Sequence, residues 1–250
     1  LYIRHMRVAV EVCVTTVAEA VAAERGGADT VEVCSWLACG GITPSWGLVD
    51  AVRAAVRIPV RVLVRPTSEG FVYGAAERHA LMADAGILGH RSFGLVTGAL
   101  SAEGHMDRQL MASIAHSAPG SELTFHRAVD HARDPVEVLD GCMTLGVDRL
   151  LTSGGAARAQ DGAGVLRRLV DRAGAYCTIA AAGGINAENV VGIVERAGVR
   201  EIHFAAQRAV PAHGVAVPLS SAPADGAYTF VPDEAKIQAV MNALVKAGLR

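Results

Sequence analysis

Aromatic side chains are scarce in this 250-residue chain, at 4%, so Ala, Val, Leu and Ile must fill most of any core. Hydrophobic residues nevertheless make up 51%. Small branched side chains in that abundance suit strands covered on both faces. Charge of one sign is also lacking. The formal net charge is −2, and no Lys/Arg cluster or row of stacking aromatics is present, which argues against a nucleic-acid partner. Every apolar run is broken by charge or glycine before it reaches spanning length, so no membrane association is expected. No CxxC or HxxxH spacing completes a tetrahedral zinc site. No Gly-x-Gly-x-x-Gly follows the first β-rich run, so neither a nucleotide nor a flavin cofactor is expected. Leu1–Met6 lacks the apolar core of a signal peptide, and His5-Met6 reads as a remnant of recombinant expression with Met6 as the natural start. A cytoplasmic location is therefore expected, with the five cysteines as reduced thiols.

What is present is alternation. Short β-rich runs at Val8–Cys13, Thr30–Cys34, Val60–Arg65, Ser92–Val96, Leu123–His126, Arg149–Thr152, Cys177–Ala181 and Glu201–Phe204 are separated by helix-like segments. Among these are Val17–Arg25, Ser45–Ala55 and Pro135–Leu145, and a last helix is expected over Asp233–Ala247. Repeated βα units imply a parallel sheet with right-handed crossovers. Eight of them in this length predict a closed α/β barrel of the (β/α)8 TIM type, in one domain over residues 1–250. Gly-Ala-Asp at 27–29, Gly-Val-Asp at 146–148 and Gly-Val-Arg at 198–200 sit where helices must turn back into strands. Asp134-Pro135 reads as an N-cap followed by proline at the first helical position, and Ser45 or Asn186 can cap other helices. The one irregular stretch, residues 210–230, is rich in Pro, Ala, Ser and Gly and falls in the last βα connection, on the functional face of such a barrel. It is read as either a lid or a loose loop.

Side-chain alternation along strands separates the faces. Val8, Val10 and Val12 share one, leaving Ala9, Glu11 and Cys13 towards the barrel axis; the next strand repeats the pattern with Glu32 and Cys34. Arg61, Arg65, Thr124, His126, Glu201 and His203 point inward on the same argument. Charges in an interior that normally holds apolar layers need partners, so a paired network is expected around Glu11, Glu32, Arg65 and Glu201. Glu201 and Arg61, deeper in the barrel, can serve as a mere plug. Cys13, Cys34, Arg65 and His126 lie nearest the strand ends, where barrels meet ligands. The two cysteines admit two readings: small core residues, or a thiol pair for a soft metal such as Cu(I).

Two glycine-rich loops, Ser153-Gly154-Gly155 and Gly183-Gly184, follow the sixth and seventh strands. Bare N–H groups there can bind an anion, or the glycines can serve only the turn. His126-Arg127 with Asp130 adds a base, a cation and a carboxylate after the fifth strand.

The chain resembles the CutC copper-homeostasis family over nearly its whole length. The resemblance is carried by Glu-Val-Cys at 11–13, Gly-Gly-Ala-Asp-Thr-Val-Glu-Val-Cys-Ser at 26–35 and Gly-Gly-Ile-Thr-Pro-Ser at 40–45. Further matches are Ile58-Pro59-Val60 leading to Arg65-Pro66, Phe71 with Tyr73, and Gly94-Leu95-Val96-Thr97-Gly98. Thr-Phe-His-Arg-Ala at 124–128 with Asp130, Arg-Leu-Leu-Thr-Ser-Gly at 149–154 and Ala187-Glu188-Asn189 complete the series. The resemblance implies a barrel, a cytoplasmic homodimer, and Cu(I) held by Cys13 and Cys34. Departures fall at the barrel mouth: Cys39 where the family usually has glutamate, Val72 and Gly74 around Phe71 and Tyr73, and Phe204-Ala205-Ala206 after His203.

Two functions are thus expected. One is copper homeostasis by Cu(I) binding at Cys13 and Cys34. The other is an enzyme doing lyase-, isomerase- or hydrolase-type acid–base chemistry on a small anionic or hydroxylated metabolite. There Glu11, Glu32, Arg65, His126 and Asp130 would be catalytic, while Arg127, Ser153, Gly154, Gly183, Gly184 and His203 would bind the anion.

Overall fold

The computed structural model describes residues 7–91, 93–211 and 228–250. Eight parallel strands close into a barrel in sequence order, with β8 hydrogen-bonded back to β1. They are β1 Ala9–Val14, β2 Thr30–Val33, β3 Val60–Leu63, β4 Gly94–Thr97, β5 Leu123–Phe125, β6 Arg149–Thr152, β7 Thr178–Ala182 and β8 Glu201–Ala205. Eight helices alternate with them among the described residues: α1 Val17–Arg25, α2 Trp46–Ala55, α3 Ala75–Gly89, α4 Arg108–Ser117, α5 Pro135–Leu145, α6 Ala163–Ala173, α7 Val190–Ala197 and α8 Glu234–Lys246. The expected (β/α)8 barrel is the fold, with every expected strand present within one or two residues at its ends. No described helix is long and apolar enough to cross a membrane.

Local chemistry sets the boundaries. Thr16 caps α1 by accepting from the Glu19 backbone N–H, and Glu19 returns the favour by accepting from Thr15 N–H. Asp134 caps α5 with Pro135 in its first turn, and Gly146 ends it in the left-handed conformation at φ 70°. Ser45 caps α2 as expected. Asn186 does not stand at a helix cap: it exchanges backbone-to-side-chain hydrogen bonds with Asn189, which begins α7.

The apolar core is a shell between sheet and helices. Val10, Val12 and Val14 of the first strand, with Val8 just before it, join it with Val31, Val33, Leu95, Phe125 and Leu150. Inside the barrel the described buried apolar side chains gather in two small groups, Cys13, Cys34, Leu63 and Val96 on one side and Leu151, Ala180 and Ala182 on the other. Most of the other inward side chains are polar or charged.

The expectation for residues 210–230 needs correction at both ends. Gln207–Pro211 (β9) and Tyr228–Pro232 (β10) form an antiparallel pair outside the barrel, between β8 and α8. The run is rich in Pro, Ala, Ser and Gly, yet Pro211 within it and Pro232 just beyond it each end a strand, where a missing N–H is tolerated. The Gln207 amide ties the base of this ribbon to Thr15 and Glu19. Residues 212–227 of that stretch, the expected remnant at 1–6, and Ser92 lie outside the described residues.

Candidate functional site

Register brings the inward charges together in two storeys. In the lower one Glu11, fully buried, accepts from Arg149 at 2.5 Å and from Arg61 at 2.6 Å, and pairs with His203 Nδ1 at 2.8 Å. Glu201 accepts from Arg61 at 2.9 Å and lies 2.8 Å from Arg149. Arg61 is closed off from outside by Glu122, at 2.7 Å. Burial acts to raise the Glu11 carboxyl, but Arg149 and Arg61 outweigh it and hold the group well below its ordinary range. Glu11 is thus a fixed anion beneath the cavity rather than a group on its wall, and the pair Glu201–Arg61 belongs to the same plug.

Above it opens a cavity of about 780 Å³ at the C-terminal ends of the strands, the face on which TIM barrels work. Cys13, Glu32, Arg65, His126, Arg127, Gly183, Gly184 and His203 line it. The charges here are only partly paired: Arg127 meets Asp130 and His203 meets Glu11, but neither Glu32 nor Arg65 hydrogen-bonds an opposite charge. Glu32 stands beside Arg61 in register, but that guanidinium is taken by Glu11, Glu201 and Glu122. Its Oε2 is left buried with no hydrogen bond, 3.9 Å from His203 Nδ1, which is near enough for attraction but too far for a bond. Burial pushes the Glu32 carboxyl up. Burial would lower His203, yet Glu32 and Glu11 outweigh it and raise the imidazole.

Arg65 has carbonyl rather than carboxylate partners, contrary to the expected ion pairing. It donates to Cys39 O at 3.1 Å, Gly41 O at 2.9 Å and Ser68 O at 3.0 Å. Its Nε has no partner, and the guanidinium lies over the Phe71 ring at 4.9 Å. A buried cation held only by dipoles retains its charge for something else. His126 accepts from Ala128 N–H through Nδ1, which leaves Nε2 as the protonated nitrogen, buried and unpartnered. Burial, then Arg65, depresses its imidazole to about 3, so the ring is neutral. Gly98 leaves room for that ring, since a Cβ there would stand 2.6 Å from His126 Nδ1.

Cys13 and Cys34 project from neighbouring strands with their sulfurs 3.3 Å apart. Cys13 reaches the cavity; Cys34 lies behind it, with no exposed surface. The hydrogen bond that the Cys13 thiol shares with Cys34, burial, and the nearby carboxylates Glu32 and Glu11 all push that thiol well above its ordinary value. Cys39 is turned away from making a third thiol contact, and its sulfur donates to Trp36 O at 3.0 Å.

Asp130 is not on the cavity wall. It accepts from Thr152 Oγ1 at 2.6 Å, Ser153 N at 3.0 Å, Gly155 N at 3.0 Å and Arg127 Nε at 2.8 Å. These bonds outweigh burial and hold its carboxyl below the ordinary range. Ser153 is fully buried and Gly154 N–H is bound by Thr152 Oγ1, so this loop's donors are already used. Gly154 serves close packing instead: a Cβ would come 2.4 Å from Gly162 O. Asp130 thereby positions Arg127, which does reach the cavity.

Comparison with known proteins fixes the family. The CutC family model matches residues 8–208. The chain belongs to the CutC family. It is 36% identical over 244 residues to a CutC protein of Photobacterium profundum, covering 96% of this chain and 100% of that one. It is 40% identical over 198 residues to the human copper homeostasis protein cutC homolog, covering 79% of this chain and 72% of that one. The crystal structure of CutC from Streptococcus agalactiae superimposes with a TM-score of 0.75 at 27% identity, over 79% of this chain and 98% of that one. A relation to copper homeostasis therefore holds at the level of the family.

Two contributors to this CutC interior lie outside the inward set expected from strand alternation at Glu11 to His203. Arg149, buried at 1% exposure, follows from the same alternation that turns Leu151 inward, and the pattern Arg-Leu-Leu-Thr contained it. Lys236 on the cavity wall sits in the first turn of α8, on a helix face that only the closed barrel brings round.

Proposed function

We propose that this CutC-family protein handles copper by binding Cu(I) between Cys13 and Cys34, in a cytoplasmic setting and as a homodimer. The supporting observation is the 3.3 Å contact of two buried thiols on adjacent strands. Both donors are soft, as Cu(I) prefers, and burial shields the pair from oxidants and competing hard ions. A bridging ion has to enter between sulfurs that now touch, so loading turns at least one thiol. It must also displace the proton that Cys13 holds, so affinity rises with pH. An anaerobic Cu(I) titration of reduced protein against a competing chelator tests the site. The expected result is one ion per chain, lost in Cys13→Ala/Cys34→Ala; binding indifferent to both substitutions overturns the reading. Sedimentation velocity checks the dimer.

A second reading is carried by a separate observation. Glu32 Oε2, Arg65 Nε and His126 Nε2 are all buried and unpartnered, and their three residues share one cavity wall. A two-thiol metal site uses none of them. They suit a small anionic or hydroxylated metabolite, with Arg65 and the Gly183-Gly184 turn at an anionic group, His126 donating a hydrogen bond, and Glu32 moving a proton. A thermal-shift screen against such metabolites is expected to raise Tm for at least one class. Absence of any stabilising ligand removes this reading and leaves the first intact.

A further inference from the structure

The orphaned carboxylate beside the thiol pair carries an inference that rests on neither reading above. We propose that Cys13, Glu32 and His203 form a site for a divalent ion of the zinc class, distinct from the two-thiol site and open to the cavity at its fourth position.

The donors come from three consecutive strands of the closed barrel, β8, β1 and β2. Cys13 faces Glu32 directly in register, and His203 faces Glu11, two residues earlier on the strand of Cys13. One ligand atom from each lies within 4.8 Å of the other two. Zinc bonds of about 2.0–2.3 Å place tetrahedral donors roughly 3.3–3.8 Å apart, so small side-chain rotations close the set.

The surroundings match what such a site needs. His203 Nδ1 is engaged by Glu11 at 2.8 Å, and Glu11 is held as an anion by Arg149 and Arg61. In the neutral ring that a ligand requires, Nδ1 is thereby the donor nitrogen and Nε2 has the lone pair, the carboxylate–imidazole arrangement that supports metal ligands, so an incoming ion displaces any proton on Nε2. Glu32 Oε2 is buried and without a hydrogen bond, and a bound cation would satisfy it. The donor set also selects the ion. Sulfur, nitrogen and carboxylate oxygen together are zinc ligands, whereas Cu(I) favours the two sulfurs. All three donors line the cavity and Cys34 does not. Three protein ligands with the last position free is the pattern of an ion that meets a water or an anionic oxygen of a small molecule. Because Cys13 belongs to both donor sets, zinc and Cu(I) exclude each other.

The test is an anaerobic titration of reduced, metal-free protein with Co(II) as a spectroscopic probe, followed by displacement with Zn(II). One equivalent of Co(II) is expected to give a thiolate-to-cobalt charge-transfer band with the visible bands of a four-coordinate ion. Cys34→Ala is expected to keep this spectrum, Cys13→Ala to lose the charge-transfer band, and Glu32→Gln and His203→Gln to weaken binding by more than about tenfold. A wild-type spectrum without thiolate charge transfer overturns the proposal, whatever the folding of the variants. So does binding unchanged in Glu32→Gln and His203→Gln, or lost in Cys34→Ala as fully as in Cys13→Ala. Cu(I) binding that depends on Cys34 while Co(II) binding does not separates this site from the two-thiol one.

Discussion

The two storeys of the barrel interior contain similar residues put to opposite use. In the lower storey two guanidiniums meet two buried carboxylates and one peripheral one, and Glu11 alone has three partners. In the upper storey a carboxylate, a guanidinium and an imidazole each keep a polar atom with no partner, whereas among the described residues of the floor Arg149 Nε alone does so, on a guanidinium already paired with two carboxylates. Burial does not explain the difference, since Glu11 and Glu32 are both buried. Pairing does. Breaking a buried ion cluster is costly, so the lower storey is a rigid floor. Unpaired buried groups are also costly, and they persist where a ligand or ion completes them. The floor holds His203 in place through Glu11, and the upper storey presents what the floor has fixed.

Neutralising one carboxylate in each storey should separate floor from site by the widest margin. Glu11→Gln leaves Arg149 and Arg61 to share the buried Glu201 and is expected to cost about 3–5 kcal/mol in urea unfolding. Glu32→Gln removes a carboxylate that nothing pairs, so metal-free protein is expected to lose less than about 1 kcal/mol, or to gain. Their pH dependences should have opposite signs. With its folded pKa depressed, Glu11 contributes stability present above the unfolded value of about 4.3 and lost as pH falls through the folded value. With its folded pKa raised, Glu32 subtracts stability progressively as pH climbs from about 4.3 through the folded value. The gain from Glu32→Gln should therefore grow across that window in melts at successive pH values.

A smaller effect sharpens the description of the upper storey. His126 has its imidazole depressed to about 3, against about 6.5 in the unfolded chain. The folded state then binds fewer protons, and stability falls as pH drops between those values. NMR of the ring is expected to show neutral His126 at pH 5, and His126→Gln should flatten the acid limb of the stability curve. Titration of His126 near pH 6.5 would mean that the cavity wall is wetter than the burial indicates.

The smallest effect is expected outside the barrel. Arg172 and Asp140 form an exposed pair at 2.9 Å between α5 and α6. Arg172→Ala should leave the urea midpoint almost unmoved, because solvent screens the pair and holding both side chains costs entropy. A loss as large as that of Glu11→Gln would mean that burial adds nothing to what a pair is worth.

Much of this was legible from residue order alone. Eight βα repeats specified a closed barrel, since parallel strands need covered faces and right-handed crossovers. Period-two alternation turned Glu11, Cys13, Glu32, Cys34 and His126 inward because successive strand side chains must point to opposite faces. Caps at Ser45 and Asp134 followed from local hydrogen bonding. Alternation also contained Arg149, though a charge opening a strand is easily assigned to the preceding turn.

Only closure of the barrel decided which inward charges meet. Alternation says that Glu11 and Glu32 share the interior, but not that Arg61 turns down to Glu11, Glu201 and Glu122 and so leaves Glu32 alone. That choice depends on register across strands far apart in sequence, and on which carboxylate a long flexible side chain reaches. The same holds for Asp130, which the sequence placed beside His126 and which the fold spends on Thr152, Ser153, Gly155 and Arg127 behind the cavity wall. The sequence by itself determined the barrel and the inward set. The tertiary structure divided that set into a floor and a site, because pairing is a matter of distance and distance is settled only when β8 meets β1.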